Sequence, residues 1–198
     1  MEKRESKFMS DHSEGDHGIE TLLDYELSWV LRMAADKECM KTKPRLYHQC
    51  RHILFKLLGI DDNAGISVKC VKTWKQWRYV DIVADIYLVR DNNEELHVLM
   101  TENKAYTRMS QKQRDDYPKT IKNAYDNSSI YGSYILHQVL VTCFDPQHPV
   151  YEEQKVFIKG SDWDIISVEE LPDWNASEQT ESDLFNEFWL NNWNTLTE

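Results

Sequence analysis

Two acids and a base pose the first question. Glu102 and Lys104 stand two positions apart in HVLMTENKAYTRMSQKQRDDY (97–117), at the end of the apolar run Leu96, Val98, Leu99, Met100 that leads into it. Alternate side chains of a strand share a face, so Glu102 and Lys104 point the same way. Asp81 and Asp85, four apart in RYVDIVADI, share a face of the preceding apolar run. If these two strands are neighbours, one or both Asp converge on Glu102 and Lys104. Carboxylates gathered away from water repel one another and lose hydration, so a balancing charge is needed. A hard divalent cation, Mg²⁺ or Mn²⁺, suits them because it takes carboxylate oxygens and keeps water in its shell. Lys104 could then orient or deprotonate that water, or stabilise charge on a reacting phosphate.

The elements that must position these residues are written in the periodicity. Leu23, Leu27, Val30, Leu31 and Ala34 make an amphipathic helix over 19–37. Pro44 suits the start of a second helix, striped by Leu46, Cys50, Ile53, Leu54, Leu57 and Leu58 and ended at Gly59. The period then becomes two. ISVKCVKTW (66–74) alternates apolar and basic, as a half-exposed strand does. WRYVDIVADIYLV (77–89) is apolar on both faces apart from its Asp residues, as a central covered strand would be. Asp91-Asn92-Asn93 is turn chemistry, and LHVLMTENK (96–104) is the third strand. A helix over 108–127 and a buried strand over 134–144 follow, with KVFIK and WDIISV read as two more short strands and a last helix over 177–193. This order predicts an α/β fold, a central mixed β-sheet flanked by helices on both sides.

Asp81 in RYVDI, with Glu102-Asn103-Lys104 ending the next strand, resembles the PD-(D/E)XK nuclease superfamily, the restriction-endonuclease-like fold. Val80 stands where the family's Pro would be. Gln113 and Tyr117, four apart on the following helix, are similar to a pattern in a prokaryotic branch of that superfamily. The resemblance covers 19–144 and implies an α-β-β-β-α-β core with extra N-terminal and C-terminal helices. It implies a metal-dependent nuclease hydrolysing phosphodiester bonds in DNA, with Mg²⁺ or Mn²⁺ as cofactor. Asp81 and Glu102 would hold the metal, with Asp85 an alternative to Asp81. The backbone carbonyl of Asn103 would be a further ligand, and Lys104 would act at the attacking water. Glu26 on the first helix is the favoured additional ligand and Glu20 the second choice. Gln113 and Tyr117 would lie near the site and substrate. The alternative is a nuclease-like fold without catalysis, serving as a nucleic-acid- or protein-binding regulatory module.

Charge is divided along the chain. The net charge is −11, yet residues 145–198 alone hold 13 acids against two bases, and residues 1–144 balance. Within the balanced part, 41–60 carries five bases and no acid, and 69–78 carries Lys69, Lys72, Lys75 and Arg78 with no acid. Lys72, Lys75 and Arg78, interleaved with Trp74 and Trp77, read equally as a phosphate- and base-binding strip or as Lys stems covering Trp rings. Arg108, Lys112 and Arg114 adjoin the candidate site and are further candidates for substrate phosphates. The expected partner is DNA, with RNA second. The acidic C-terminal region suits a protein partner or a cover over basic surface, and the aromatic-rich exterior is compatible with a homodimer. His48 and His52, i and i+4 with Cys50 between, have metal-ligand spacing but read better as helix histidines on a basic face.

Seven Trp, ten Tyr and six Phe in 198 residues supply a core for one domain. Residues 1–18 read as a flexible tail, 19–170 as the nuclease-like domain and 171–198 as an acidic, aromatic helix packed on it. Four irregularly spaced Cys read as reduced thiols. No apolar run reaches the roughly 18 residues of a membrane span, so no membrane association and a cytoplasmic location are expected.

Overall fold

The computed structural model describes residues 4–9, 18–62, 65–105, 107–176 and 178–193. Five strands, β1 (Ile66–Trp77), β2 (Val80–Arg90), β3 (Asn93–Lys104), β4 (Tyr134–Thr142) and β5 (Trp163–Ser167), form one open sheet in sequence order. The first three pair antiparallel, while β3–β4 and β4–β5 are parallel. Parallel neighbours need a long crossover. Helix α4 (Gln111–Asp126) supplies the first and α5 (Pro149–Ile158) the second.

Alternation along the strands builds two cores. Ile82, Ala84, Ile86 and Leu99 point to one face, against α1 (Gly18–Met33) and α3 (Pro44–Leu58). Val83, Val98, Met100 and Leu140 point to the other, against Ile121 and Tyr125 of α4 and Ile158 of α5. The sheet is therefore covered on both sides, and the α/β fold with a mixed sheet and flanking helices is as expected. Among the described residues no helix is long and apolar enough to cross a membrane. None of the four Cys is in a disulfide.

Several local expectations need correction. KVFIK belongs to α5, not to a strand, because Pro149 at its first turn and the His148 side chain capping Val150 N start a helix there. The first helix stops at Met33, and a separate short helix α2 (Lys37–Thr42) is started by Asp36, whose carboxylate caps Glu38 and Cys39. Arg78 and Tyr79 are not strand: Trp77 pairs with Val80, and the two residues between them form the turn.

The C-terminal helix is shorter than 177–193. It comprises α6 (Asp183–Phe185) and a π turn, Asn186–Leu190; its expected first residue, Ser177, lies outside the described residues. Phe185, Phe188, Trp189 and Leu190 are part of the α1/α3 core, so this segment packs on the domain. Its acids meet α3: Glu178 and Glu181 pair with Arg45, and Asp173 with His48 at 2.8 Å. These pairs lie on α3, on the side of the sheet opposite α4. Of the flexible tail, 1–3 and 10–17 lie outside the described residues, whereas Ser6, Lys7 and Phe8 are tied to the Glu187 carboxylate.

Candidate active site

The end of β3 is where the two cores meet the loop after Lys104. Glu102 and Lys104 point to the α4 face with Val98 and Met100, while Asn103 between them points to the α1 face. Glu102, Asn103 and Lys104 are all buried. Lys104 Nζ donates to Glu102 Oε1 at 2.6 Å, and Gln113 Nε2 donates to the same oxygen. Gln113 also closes the α4 capping box, with its Oε1 accepting from Ser110 N. One side chain thus fixes the helix start and binds it to the strand end. Glu102 Oε2 is buried and has no hydrogen-bond partner among the described residues.

Asp81 arrives from β2, directly after the Arg78–Tyr79 turn. Its Oδ2 accepts from Asn103 N at 2.8 Å, and its Oδ1 from Gln76 Nε2 at 2.8 Å. Gln76 Nε2 also reaches Asp24 Oδ2 at 3.3 Å, and Asn103 Nδ2 donates to Asp24 Oδ1 at 2.7 Å. Asp24 and Asp81 are therefore linked through Gln76 and Asn103, while Glu102, next to Asn103 in sequence, is held separately by Lys104 and Gln113.

The electrostatics follow from crowding. Burial, then the Asp81 charge, push Glu102 up to about 7 against the opposing pull of Lys104. Burial pushes Asp24 up to about 6, opposed by the Asn103 hydrogen bond and aided by Asp81. For Lys104 burial works to lower the ammonium's pKa, but Glu102, then Asp81 and Glu20, outweigh it and the net direction is up. Lys104 is thus held protonated. Tyr117 is raised by burial and by the charges of Glu102 and Asp81, which puts its hydroxyl within their field.

Asp81, Glu102, Lys104, Gln113 and Tyr117 are brought together as the sequence suggested. Asp85 is not among them. It is 1% exposed in the α4 core, receives hydrogen bonds from Tyr125 and Tyr131, and has its pKa raised by burial. Glu26 is also elsewhere. Two residues are about 200° of helix rotation, so it points away from Asp24. It lies near Trp189 and Cys50, and burial pushes it up to about 7. Glu20 is the α1 acid at this end: its carboxylate accepts from Ala105 N at 3.0 Å and from the Thr107 hydroxyl at 3.1 Å, and it acts on Glu102 and Lys104.

The basic candidates divide. Arg114 pairs with Asp115 and donates to Phe157 O, which ties α4 to α5. Arg108 pairs with Glu153 at 2.7 Å on the surface. Lys112 is exposed, as are Lys72 and Arg78, while Lys75 lies over the Tyr25 ring.

Asp24 and Gln76 were missing from the sequence reading. Glu20, Asp24 and Ser28 stand at i, i+4 and i+8, a polar row beside the apolar stripe of α1, and that row was the available signal. Gln76 gave none, because its role depends on a φ of 52° inside a strand.

Two carboxylates with one orphaned buried oxygen fit a divalent cation that keeps most of its ligands as water or phosphate oxygen. Among the described residues no three His, Cys, Asp or Glu side chains are grouped to hold a metal ion. No protein-family model, no curated protein and no solved structure matches this chain.

Proposed function

We propose that the protein is a metal-dependent nuclease of restriction-endonuclease-like type, hydrolysing phosphodiester bonds in DNA, with RNA as second substrate. The observation that carries the reading is Asp81 beside Glu102, with Lys104 on Glu102 Oε1 and nothing on Glu102 Oε2. The order α1, β1, β2, β3, α4, β4 supports it, with both acids at one end of adjacent strands.

Asp81 and Glu102 would hold Mg²⁺ or Mn²⁺, and the ion would supply Lewis-acid polarisation of a phosphate and a more acidic bound water. The chain's own residues set the rest. Lys104, held protonated, stabilises charge on the phosphate oxygens and orients the water rather than taking its proton. Gln113 fixes the Glu102 carboxylate, and Gln76 with Asn103 N fix Asp81, so neither acid must be reorganised when substrate arrives.

A second reading has its own observation. Asp81 has both oxygens engaged and no three-ligand group is present among the described residues, which favours a binding or regulatory module without catalysis. Incubating the protein with single- and double-stranded DNA and RNA, in Mg²⁺, Mn²⁺ or EDTA, separates the two. Cutting that EDTA and Lys104→Ala both abolish supports the nuclease. Tight nucleic-acid or protein binding with no cutting of any substrate supports the module.

A further inference from the structure

Two hairpin turns in this sheet have the same backbone and opposite chemistry. In each, two residues between paired positions both have positive φ: Asp91 (49°) and Asn92 (64°) between β2 and β3, Arg78 (57°) and Tyr79 (72°) between β1 and β2. Asp and Asn tolerate this conformation through short side chains that bond locally. Arg and Tyr have no such means, and a bulky residue at positive φ carries strain. Strain kept at a tip needs a reason other than the turn.

Tyr79 is 80% exposed, and among the large hydrophobic residues described Ile130 alone is more so. Behind it the positive φ of Gln76 shifts the strand's alternation, and the Trp74 and Trp77 rings come within 6.3 Å of each other. Arg78 lies over the Trp77 ring, and Lys72 is exposed along the same strand. The turn ends two residues before Asp81, about 7 Å of strand from the carboxylates.

We infer that the Arg78–Tyr79 turn is a stacking tip for an unpaired nucleobase next to the scissile phosphate, so that the site takes single-stranded or locally unpaired nucleic acid. The inference rests on the nuclease reading for the word scissile, and on the hairpin alone for the stacking. In a duplex each base face is already covered by its neighbour, whereas an unpaired base offers a face to Tyr79 and phosphates to Lys72 and Arg78. The ligand chemistry is shared by single-stranded DNA and RNA.

The test measures binding in EDTA, where cutting plays no part. Labelled single-stranded DNA, single-stranded RNA and duplex DNA of one sequence are titrated by fluorescence anisotropy against the parent, Tyr79→Gly and Tyr79→Phe. Glycine suits the positive φ, so Tyr79→Gly is expected to melt at or above the parent temperature. It is expected to lose about tenfold in affinity for the single strands and little for the duplex. Tyr79→Phe keeps the ring and should keep the affinity. A single-strand affinity unchanged in Tyr79→Gly overturns the inference, as does a duplex bound as tightly as the single strands or no binding of any strand. Cleavage dependent on Lys104 is read separately, so either idea can fail alone.

Discussion

Asn103 holds Asp81 and Asp24 at once: its backbone N–H donates to Asp81 Oδ2 at 2.8 Å, and its side-chain Nδ2 to Asp24 Oδ1 at 2.7 Å. The residue between Glu102 and Lys104 thus sets the positions of two carboxylates from two other elements. Alternation explains how, because Asn103 faces α1 while its neighbours face α4.

Asn103→Ala keeps the backbone bond to Asp81 and removes the one to Asp24. A buried carboxylate without its donor costs about 1–3 kcal/mol. The loss should be greater at pH 8 than at pH 5, since Asp24, at about 6, is ionised only at the higher pH. Urea denaturation at the two pH values checks this.

Gln76→Gly separates a side chain from its backbone. Glycine accepts the φ of 52°, so no backbone strain is added, but Asp24 loses its Gln76 donor and stability should fall by about 1–3 kcal/mol. Asp81 loses the donor on Oδ1, and cleavage should fall about tenfold because the carboxylate is free to turn. The rate on a single-stranded oligonucleotide, measured beside the melting temperature, tests both halves.

Glu26 ties stability to pH without touching the site. Its carboxyl ionises near the ordinary 4.5 in the unfolded chain and near 7 in the fold. The stabilising contribution is therefore complete below pH 4.5 and is lost as pH rises through 7. The loss is up to about 3 kcal/mol from this group. Glu26→Gln should flatten that part of the stability–pH curve, with the gain seen above pH 7 in chemical denaturation.

Two basic residues of α4 should behave differently. Arg114→Ala breaks the tie from α4 to Phe157 O and should lower stability by about 1 kcal/mol. Lys112→Ala should leave stability unchanged and reduce the salt dependence of DNA binding by about one counterion. Binding isotherms at several salt concentrations distinguish them.

How much of this was legible in the sequence follows from which signals are local. The strands were readable because alternation repeats within one element, and that alternation placed Glu102 and Lys104 on one face. Asp81 could be set beside them only by assuming that β2 and β3 pair. The Arg78–Tyr79 turn was not readable, because neither residue type marks a turn and the apolar pattern runs straight through it. The position of Glu26 beside the apolar stripe favours it over Glu20 in the sequence, but such a position buries a residue in the core as readily as it aims one at a site. Asp24 acts through contacts 52 and 79 positions distant in sequence, which no window of residues reveals, and Gln76 reaches Asp81, five positions on, from a positive φ that its residue type does not announce.

On the proposed function, Asp81 and Glu102 together form a cation site. Calorimetric titration of Mn²⁺ through the millimolar range, on the parent and on Glu102→Gln, tests it most directly. The parent is expected to bind saturably, more strongly as pH rises through 7 because Glu102 must lose its proton, and Glu102→Gln not at all. Equal binding by both proteins, or no saturable binding by the folded parent, would contradict it.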